Sequence, residues 1–276
     1  MPDEVMLEVP QGKLLVRIWT PFGTPRAIVA ICHGFNSHSG YYFWTAERLV
    51  DEGYAVYAVD LRGRGLSSGE RYYMDAIDEY VMDVDSMVKL AFEREGALPL
   101  YLLGHSAGGV TACLYALEQQ SRLAGLICES FACRVPAPAL AIRLFEVLSG
   151  FMPRVRVVRL NNKNFSRDPC RVARMNDDPL IAGERQPLAT IAALAQASRR
   201  LGREFHRITI PTLILHGTDD RVALAVGSQC FHRDSGARDK TLKLYTGHFH
   251  DLLNDLGRAE VLADIKQWLA DRVRAP

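Results

Sequence analysis

The sequence predicts an α/β fold: a mostly parallel central sheet covered by helices on both faces, interrupted once by a long helical insertion. Strand-length apolar runs recur along the chain with hardly a polar residue in them, as strands buried on both faces require. Segments with helical spacing of apolar residues separate them, and strict strand–helix alternation belongs to parallel sheets. The alternation then stops between residues 131 and 208, an interval too long for an ordinary loop. At 276 residues the chain suits one large α/β domain. The predicted division is a core of residues 1–130 and 209–276 with a helical lid at 131–208.

The elements follow in order. "LLVRIWT" (14–20) and "AIVAIC" (27–32) read as strands, and "YYFWTAERLVDEG" as a helix ending near Gly53. "YAVYAVD" (54–60) is a strand that runs into the Gly/Ser-rich loop "LRGRGLSSGE". In "DAIDEYVMDVDSMVKLAFEREG" apolar residues recur at Ile77, Tyr80, Val81, Val84, Val88 and Phe92, with an acidic start and Gly96 at the end, both helix-terminus signals. "LYLLG" is a strand, 107–119 a helix and "LAGLICES" a strand. The insertion holds an apolar helix over 139–152, broken only by Arg143, Glu146 and Ser149. Arginine-rich "PRVRVVR", polar "LNNKNFSRD" and a second helix, "LATIAALAQASRRL", complete it. The alternation resumes with "TLILHG" (212–217), a helix over 222–231, "TLKLY" (241–245) and a closing helix, "AEVLADIKQWLADRV".

Charge sets the insertion apart. Residues 132–207 carry 14 Lys+Arg against 6 Asp+Glu, a local +8, and the rest of the chain sums to −7. The net charge of +1 gives no electrostatic reason to expect a nucleic-acid partner. No run of 18 apolar residues is present, so no transmembrane segment is expected. The start "MPDEVMLEVPQGK" is acidic and has no long apolar core, so no secretory signal is expected, and the six cysteines are scattered, Cys32 and Cys128 inside apolar runs. Free buried thiols in a cytoplasmic protein fit that pattern better than disulfides do. No C-x-x-C pair suggests a metal site. The basic insertion predicts peripheral contact with anionic lipid, by an attraction that salt would screen.

"LPLYLLGHSAGGV" carries the chemistry. Gly104-His105-Ser106-Ala107-Gly108 is a G-x-S-x-G sequence between a strand and a helix, the context in which a sharp turn exposes a serine hydroxyl at the edge of a parallel sheet. Such a pentapeptide arises by chance in about one chain of this length in ten, so the partners decide. A serine hydroxyl needs an imidazole to take its proton, a carboxylate to orient the imidazole, and N–H donors for the oxyanion. The order on this fold is Ser, acid, His, each after a strand. Asp219 and Asp220 directly follow the strand "TLILHG"; Asp177 and Asp178 lie in the insertion, and Asp60 precedes the serine. His248 and His250 follow the last strand; His206, His216 and His232 do not. The oxyanion donors would be Ala107, first in the helix after Ser106, and Phe35, after His33-Gly34 in the loop following "AIVAIC". His105 and His33 read as packing and loop-shaping residues, Asp60 and Arg62 as loop braces.

"ICHGFNSHSGYY", "VDLRGRGLSSGE", "LLGHSAGG", "LHGTDDRV" and "KTLKLYTGHFHDLLND" occur in that order along nearly the whole chain. As a set they resemble the monoacylglycerol lipase-like (lysophospholipase-like) serine hydrolases of the α/β-hydrolase superfamily. The resemblance selects Asp220, in Asp-Arg-Val, over Asp219, and His250, last in Gly-x-x-His, over His248. It also places the second oxyanion donor at Phe35. Family members often carry an acidic residue before the histidine matching His38; this chain has Asn36-Ser37-His38.

The resulting expectation is a cofactor-independent serine ester hydrolase using Ser106, Asp220 and His250 on monoacylglycerols or similar small acyl esters. A broader carboxylesterase, lysophospholipase or thioesterase is the alternative within enzymes. A non-catalytic ligand-binding module on the same fold is the alternative outside them.

Overall fold

The computed structural model describes residues 1–273. In chain order it contains β1 (Asp3–Val9), β2 (Gly12–Trp19), β3 (Ala27–Cys32), α1 (Phe43–Val50), β4 (Tyr54–Val59), α2 (Asp78–Glu95), β5 (Leu100–His105), α3 (Ala107–Gln119) and β6 (Gly125–Glu129). The insertion follows with α4 (Ala139–Ser149), β7 (Arg156–Val158), α5 (Pro169–Asp177), β8 (Gln186–Pro187) and α6 (Leu188–Glu204). The chain then returns through β9 (Thr212–Gly217), α7 (Ala225–Asp234), β10 (Lys240–Tyr245) and α8 (Arg258–Ala270).

Eight strands form one sheet in the order β1-β2-β4-β3-β5-β6-β9-β10. β2 runs antiparallel to both its neighbours, and every other pairing is parallel. Alternate residues of each central strand feed opposite faces, as the two-residue repeat of a strand requires. Ile28, Ala30, Cys32, Leu100 and Leu102 pack with residues of α2, α3, α6 and α7 on one face. Ala27, Val29, Ile31, Tyr101 and Leu103 pack with residues of α1 and α8 on the other. Two cores on one sheet explain why these strands are apolar at nearly every position.

The expected core elements form within a few residues of their sequence boundaries. α2 begins with Asp78 and Glu79 in its first turn and stops at Gly96, whose φ of 72° lies in the left-handed region. Four elements went unread in the sequence. β1 is an edge strand, "DEVMLEV", with no fully buried residue, so its apolar signal is weak. The β7–β8 pair is formed from "PRVRVVR" and distant Gln186-Pro187. α5 is a short polar helix capped by Asp168, whose side chain accepts from the Cys170 N–H, with Pro169 opening the first turn.

Within the insertion, α6 packs its Ala193, Leu194, Ala197 and Leu201 into the core beside α3. α4 lies over α6 and contains no buried residue. No helix among the described residues is long and apolar enough to cross a membrane.

Candidate active site

The carboxyl ends of β3, β5, β6, β9 and β10 open on one edge of the sheet, where ligands bind in open α/β folds. Ser106 sits in the turn from β5 to α3 with φ 56° and ψ −119°, a conformation that strains any L-residue. The neighbours make that turn obligatory. A Cβ on Gly104 would lie 2.5 Å from the Gly108 carbonyl oxygen, and one on Gly108 would lie 2.2 Å from that of Cys32. The Ser106 N–H donates to the Glu129 carbonyl at 3.0 Å, tying the turn to β6.

His250 arrives on the loop after β10. Its Nε2 lies 2.8 Å from Ser106 Oγ and its Nδ1 2.7 Å from Asp220 Oδ2. All three side chains are buried or nearly so. Asp220 belongs to the turn after β9, and its other oxygen, Oδ1, accepts from the N–H groups of Val222 (2.8 Å) and Ala223 (2.9 Å). His216 Nε2 lies 3.0 Å from Asp220 Oδ2, and its Nδ1 lies 2.7 Å from Ser228 Oγ. Burial pushes the Asp220 carboxyl up, but the His250 charge and hydrogen bonds from His216 and His250 outweigh it. The carboxyl is held well below the usual carboxylate range.

The other candidates lie elsewhere. Asp219 is exposed and accepts from Thr218 Oγ1. His248 turns toward Asp255, 4.0 Å away. Asp178 accepts from His38 Nε2 (2.9 Å) and Tyr41 OH (2.8 Å), and Asp177 ends α5. Asp60 accepts from the Ser39 N–H (2.7 Å) and the Leu66 N–H (2.8 Å), and Arg62 forks onto Asp83. His206 is exposed and His232 lies in α7.

Ala107 is the first residue of α3, where N–H groups have no intrahelical partner. Phe35 follows β3 in the loop that passes Ser106, and a Cβ on Gly34 would stand 2.7 Å from Ser106 Cβ. His33 shapes this loop. Its Nε2 accepts from the Leu61 N–H at 3.1 Å, which leaves Nδ1–H to donate to the Gly34 carbonyl at 2.7 Å. Burial drives its pKa down to about 3, so the ring is neutral. In a trans peptide the carbonyl and the following N–H point in opposite directions. Fixing the Gly34 carbonyl therefore fixes the Phe35 N–H.

Three site residues escaped the sequence reading. Glu129, the last residue of β6, pairs with His105, whose Nδ1 lies 2.8 Å from Glu129 Oε2 in an ion contact not aligned as a hydrogen bond. Burial lowers the His105 pKa, but the Glu129 charge and close approach override it and leave it at about 9. The His105 ring lies 4.9 Å from that of His250. Asp251 joins this pair, bringing ligand-type atoms of three residues within 4.8 Å, the one such group among the described residues. Phe165, from the insertion, stands edge-on to the His250 ring at 5.1 Å, and its carbonyl accepts from the Asp251 N–H at 2.8 Å. His216, which does not follow the last strand, lies against Asp220. The acid that ends the apolar run in "ICES" and the acid directly after His250 in "HFHD" were the available signals for Glu129 and Asp251. Nothing in the polar "NNKNFSRD" singled out Phe165.

A family profile described as serine aminopeptidase, S33, matches residues 23–257. A monoglyceride lipase of Rattus norvegicus is 32% identical over 94% of this chain and 88% of its own length. A monoacylglycerol lipase of Mycolicibacterium smegmatis is 29% identical over 95% of this chain and 94% of its own. Among solved structures, a monoacylglycerol lipase of Paleococcus ferrophilus superposes with a TM-score of 0.85 at 30% identity, covering 94% of this chain and 99% of that one. With the fold and these matches together, the chain belongs to the monoacylglycerol lipase-like serine hydrolases of the α/β-hydrolase superfamily and is a carboxylic ester hydrolase.

Proposed function

We propose that Ser106, His250 and Asp220 act as nucleophile, base and orienting acid in the hydrolysis of monoacylglycerols or similar small acyl esters. The observation that carries this reading is the buried line from Ser106 Oγ through His250 to Asp220, with links of 2.8 and 2.7 Å. As Ser106 Oγ attacks the ester carbonyl, its proton passes to His250 Nε2. Asp220 accepts from Nδ1–H and stabilises the imidazolium. The Ala107 and Phe35 N–H groups donate to the oxyanion, each worth about 3–4 kcal/mol of barrier. The imidazolium then protonates the departing alcohol, leaving an acyl-enzyme. Water, deprotonated by His250, attacks that ester and releases the fatty acid and free Ser106.

The substrate class rests on the relatives, which are named for monoacylglycerol hydrolysis, and on the insertion. In this reading residues 131–208 form the lid. α4 would turn its apolar face to lipid, while the +8 charge draws the lid to an anionic interface. A hydrolysis panel of p-nitrophenyl esters and monoacylglycerols of graded chain length tests the proposal, with Ser106→Ala as control. Ser106→Ala is expected to lose at least about a thousand-fold in kcat/KM. A variant that keeps its activity on every ester would end the triad assignment.

A further inference from the structure

Arg64 is a buried arginine, 1% exposed, in the loop after β4. Its guanidinium spreads over the Phe35 ring at 4.2 Å, and its Nε donates to Tyr80 OH at 2.8 Å. The remaining nitrogens reach into the insertion. Nη1 pairs with Glu184, 120 residues away, and Nη2 donates to Gln186 Oε1 at 2.9 Å. Glu184 is also buried, and the same oxygen that meets Arg64 accepts from the Asn36 N–H at 3.1 Å. Asn36 follows Phe35 and holds a left-handed φ of 49°.

Two successive peptide planes of one loop are therefore clamped from two sides. His33, from the core, fixes the Gly34–Phe35 peptide. Glu184, from the insertion, fixes the Phe35–Asn36 peptide. A hydrogen bond to a charged acceptor is about twice as strong as a neutral one, and Arg64 pairs with this carboxylate inside the fold. Nothing in the core replaces Glu184 in this role: the Asn36 N–H takes no other partner. If the insertion shifts, that carboxylate leaves with it.

We infer that Glu184 is a positioning residue for the oxyanion loop, so that the hole is complete only when the insertion is seated. This rests on the assignment of Phe35 as an oxyanion donor. It gives the insertion a part in the chemical step as well as in access to the site.

The test compares three variants in steady-state kinetics on a soluble p-nitrophenyl ester, with thermal melts and with the inhibition constant of a trifluoromethyl ketone, whose hydrate mimics the tetrahedral adduct. Glu184→Asp keeps the charge beside Arg64 but withdraws it from Asn36. It is expected to lose about tenfold or more in kcat with KM within threefold, and to bind the ketone correspondingly less well. Glu184→Gln keeps an acceptor for Asn36 but takes from Arg64 its carboxylate partner. It is expected to melt lower while holding kcat near wild type. The double variant Arg64→Met/Glu184→Met removes both charges together, which buried pairs tolerate better than losing one, and is expected to fold and to share the kcat loss. Should Glu184→Gln fail to fold, the other two carry the test. A Glu184→Asp variant with wild-type kcat, or kcat losses that simply follow the melting temperature across the set, overturns the inference. Ser106→Ala in the same panel separates the levels. If it is inactive while Glu184→Asp is wild type, only the positioning role falls; if it stays active, the nucleophile assignment falls with it.

Discussion

Helices α3 and α4 are built from similar residues and end in opposite surroundings. α3, "AGGVTACLYALEQ", buries every residue from Ala107 to Leu117. α4, "ALAIRLFEVLS", buries none. α3 leaves the Ser106 turn and lies between the sheet, α2 and α6, so each of its faces meets protein. α4 sits outside α6 and turns Ile142, Phe145 and Leu148, among others, part-way inward. Leu140 and Phe151 stand 80% and 82% exposed, with Leu144 and Val147 between them on one stripe. Apolar composition says that a helix gains by leaving water. The slot the topology offers decides whether protein or something else receives it.

The comparison breaks most sharply at glycine. A methyl group on Gly108 would press on the carbonyl oxygens of Cys32 and His33 at 2.2 and 2.4 Å, neither of which can yield without moving β3. Gly108→Ala should cost roughly 3 kcal/mol or more and lower the melting temperature by about 10 °C, or prevent folding. Gly150, which ends α4, has its nearest neighbour at 3.5 Å, and Gly150→Ala should leave the melt within a degree or two. Equal losses at both sites would mean that α4 is as enclosed as α3.

Leucine gives the next contrast. Leu114 in α3 is fully buried, and Leu144 in α4 is exposed. Leu114→Ala should destabilise by about 2–5 kcal/mol and Leu144→Ala by about 0.5 kcal/mol or less, measured by urea unfolding. A large loss at Leu144 would show that something in solution, a second copy for instance, already covers α4.

The same split explains what the sequence discloses. Strands β3 to β6 and β9 are legible because two-sided burial makes them largely apolar, and α3 because it follows one of them through G-x-S-x-G. Ser106, Asp220 and His250 are legible as candidates because the fold orders them along the chain and their neighbours carry the family's motifs. Glu129 and Glu184 are not, since each acts through a partner that only folding supplies: His105 from the adjoining strand, and Arg64 from a loop far upstream. An apolar helix signal reads alike for α3 and α4, because hydropathy records what a segment avoids and not what it meets.

Charge beneath α3 gives a smaller, pH-dependent effect. His105 precedes the helix, and its pKa rises from 6.5 unfolded to about 9 in the fold. A raised imidazole pKa stabilises the fold in full below about 6.5 and loses that contribution as the pH climbs through about 9. Thermal melts should therefore fall across that window by a few degrees, and Glu129→Gln should flatten the fall. Asp220 works in the opposite sense. Its depressed carboxyl stabilises above 3.8, its ordinary value, and that contribution fades as the pH drops below it. A wild-type melt that is flat from pH 6.5 to 9 would mean that His105 is neutral.

The smallest effect on the protein itself is expected at the exposed stripe of α4, and that is what makes it informative. Leu144→Ser with Phe151→Ser removes two apolar groups that touch little protein, so the melt and the rate on soluble p-nitrophenyl acetate should stay near wild type. Each side chain would contribute about 2 kcal/mol on entering an apolar medium, so the loss should surface at an interface. Hydrolysis of monoacylglycerol dispersed in anionic vesicles should fall several-fold, and the fall should shrink at high salt, where attraction of the basic insertion is already screened. If both substrates decline together, α4 acts on the site through α6 and not through lipid. If neither declines, its apolar face has no part in substrate capture, and the resemblance between the two helices ends at composition.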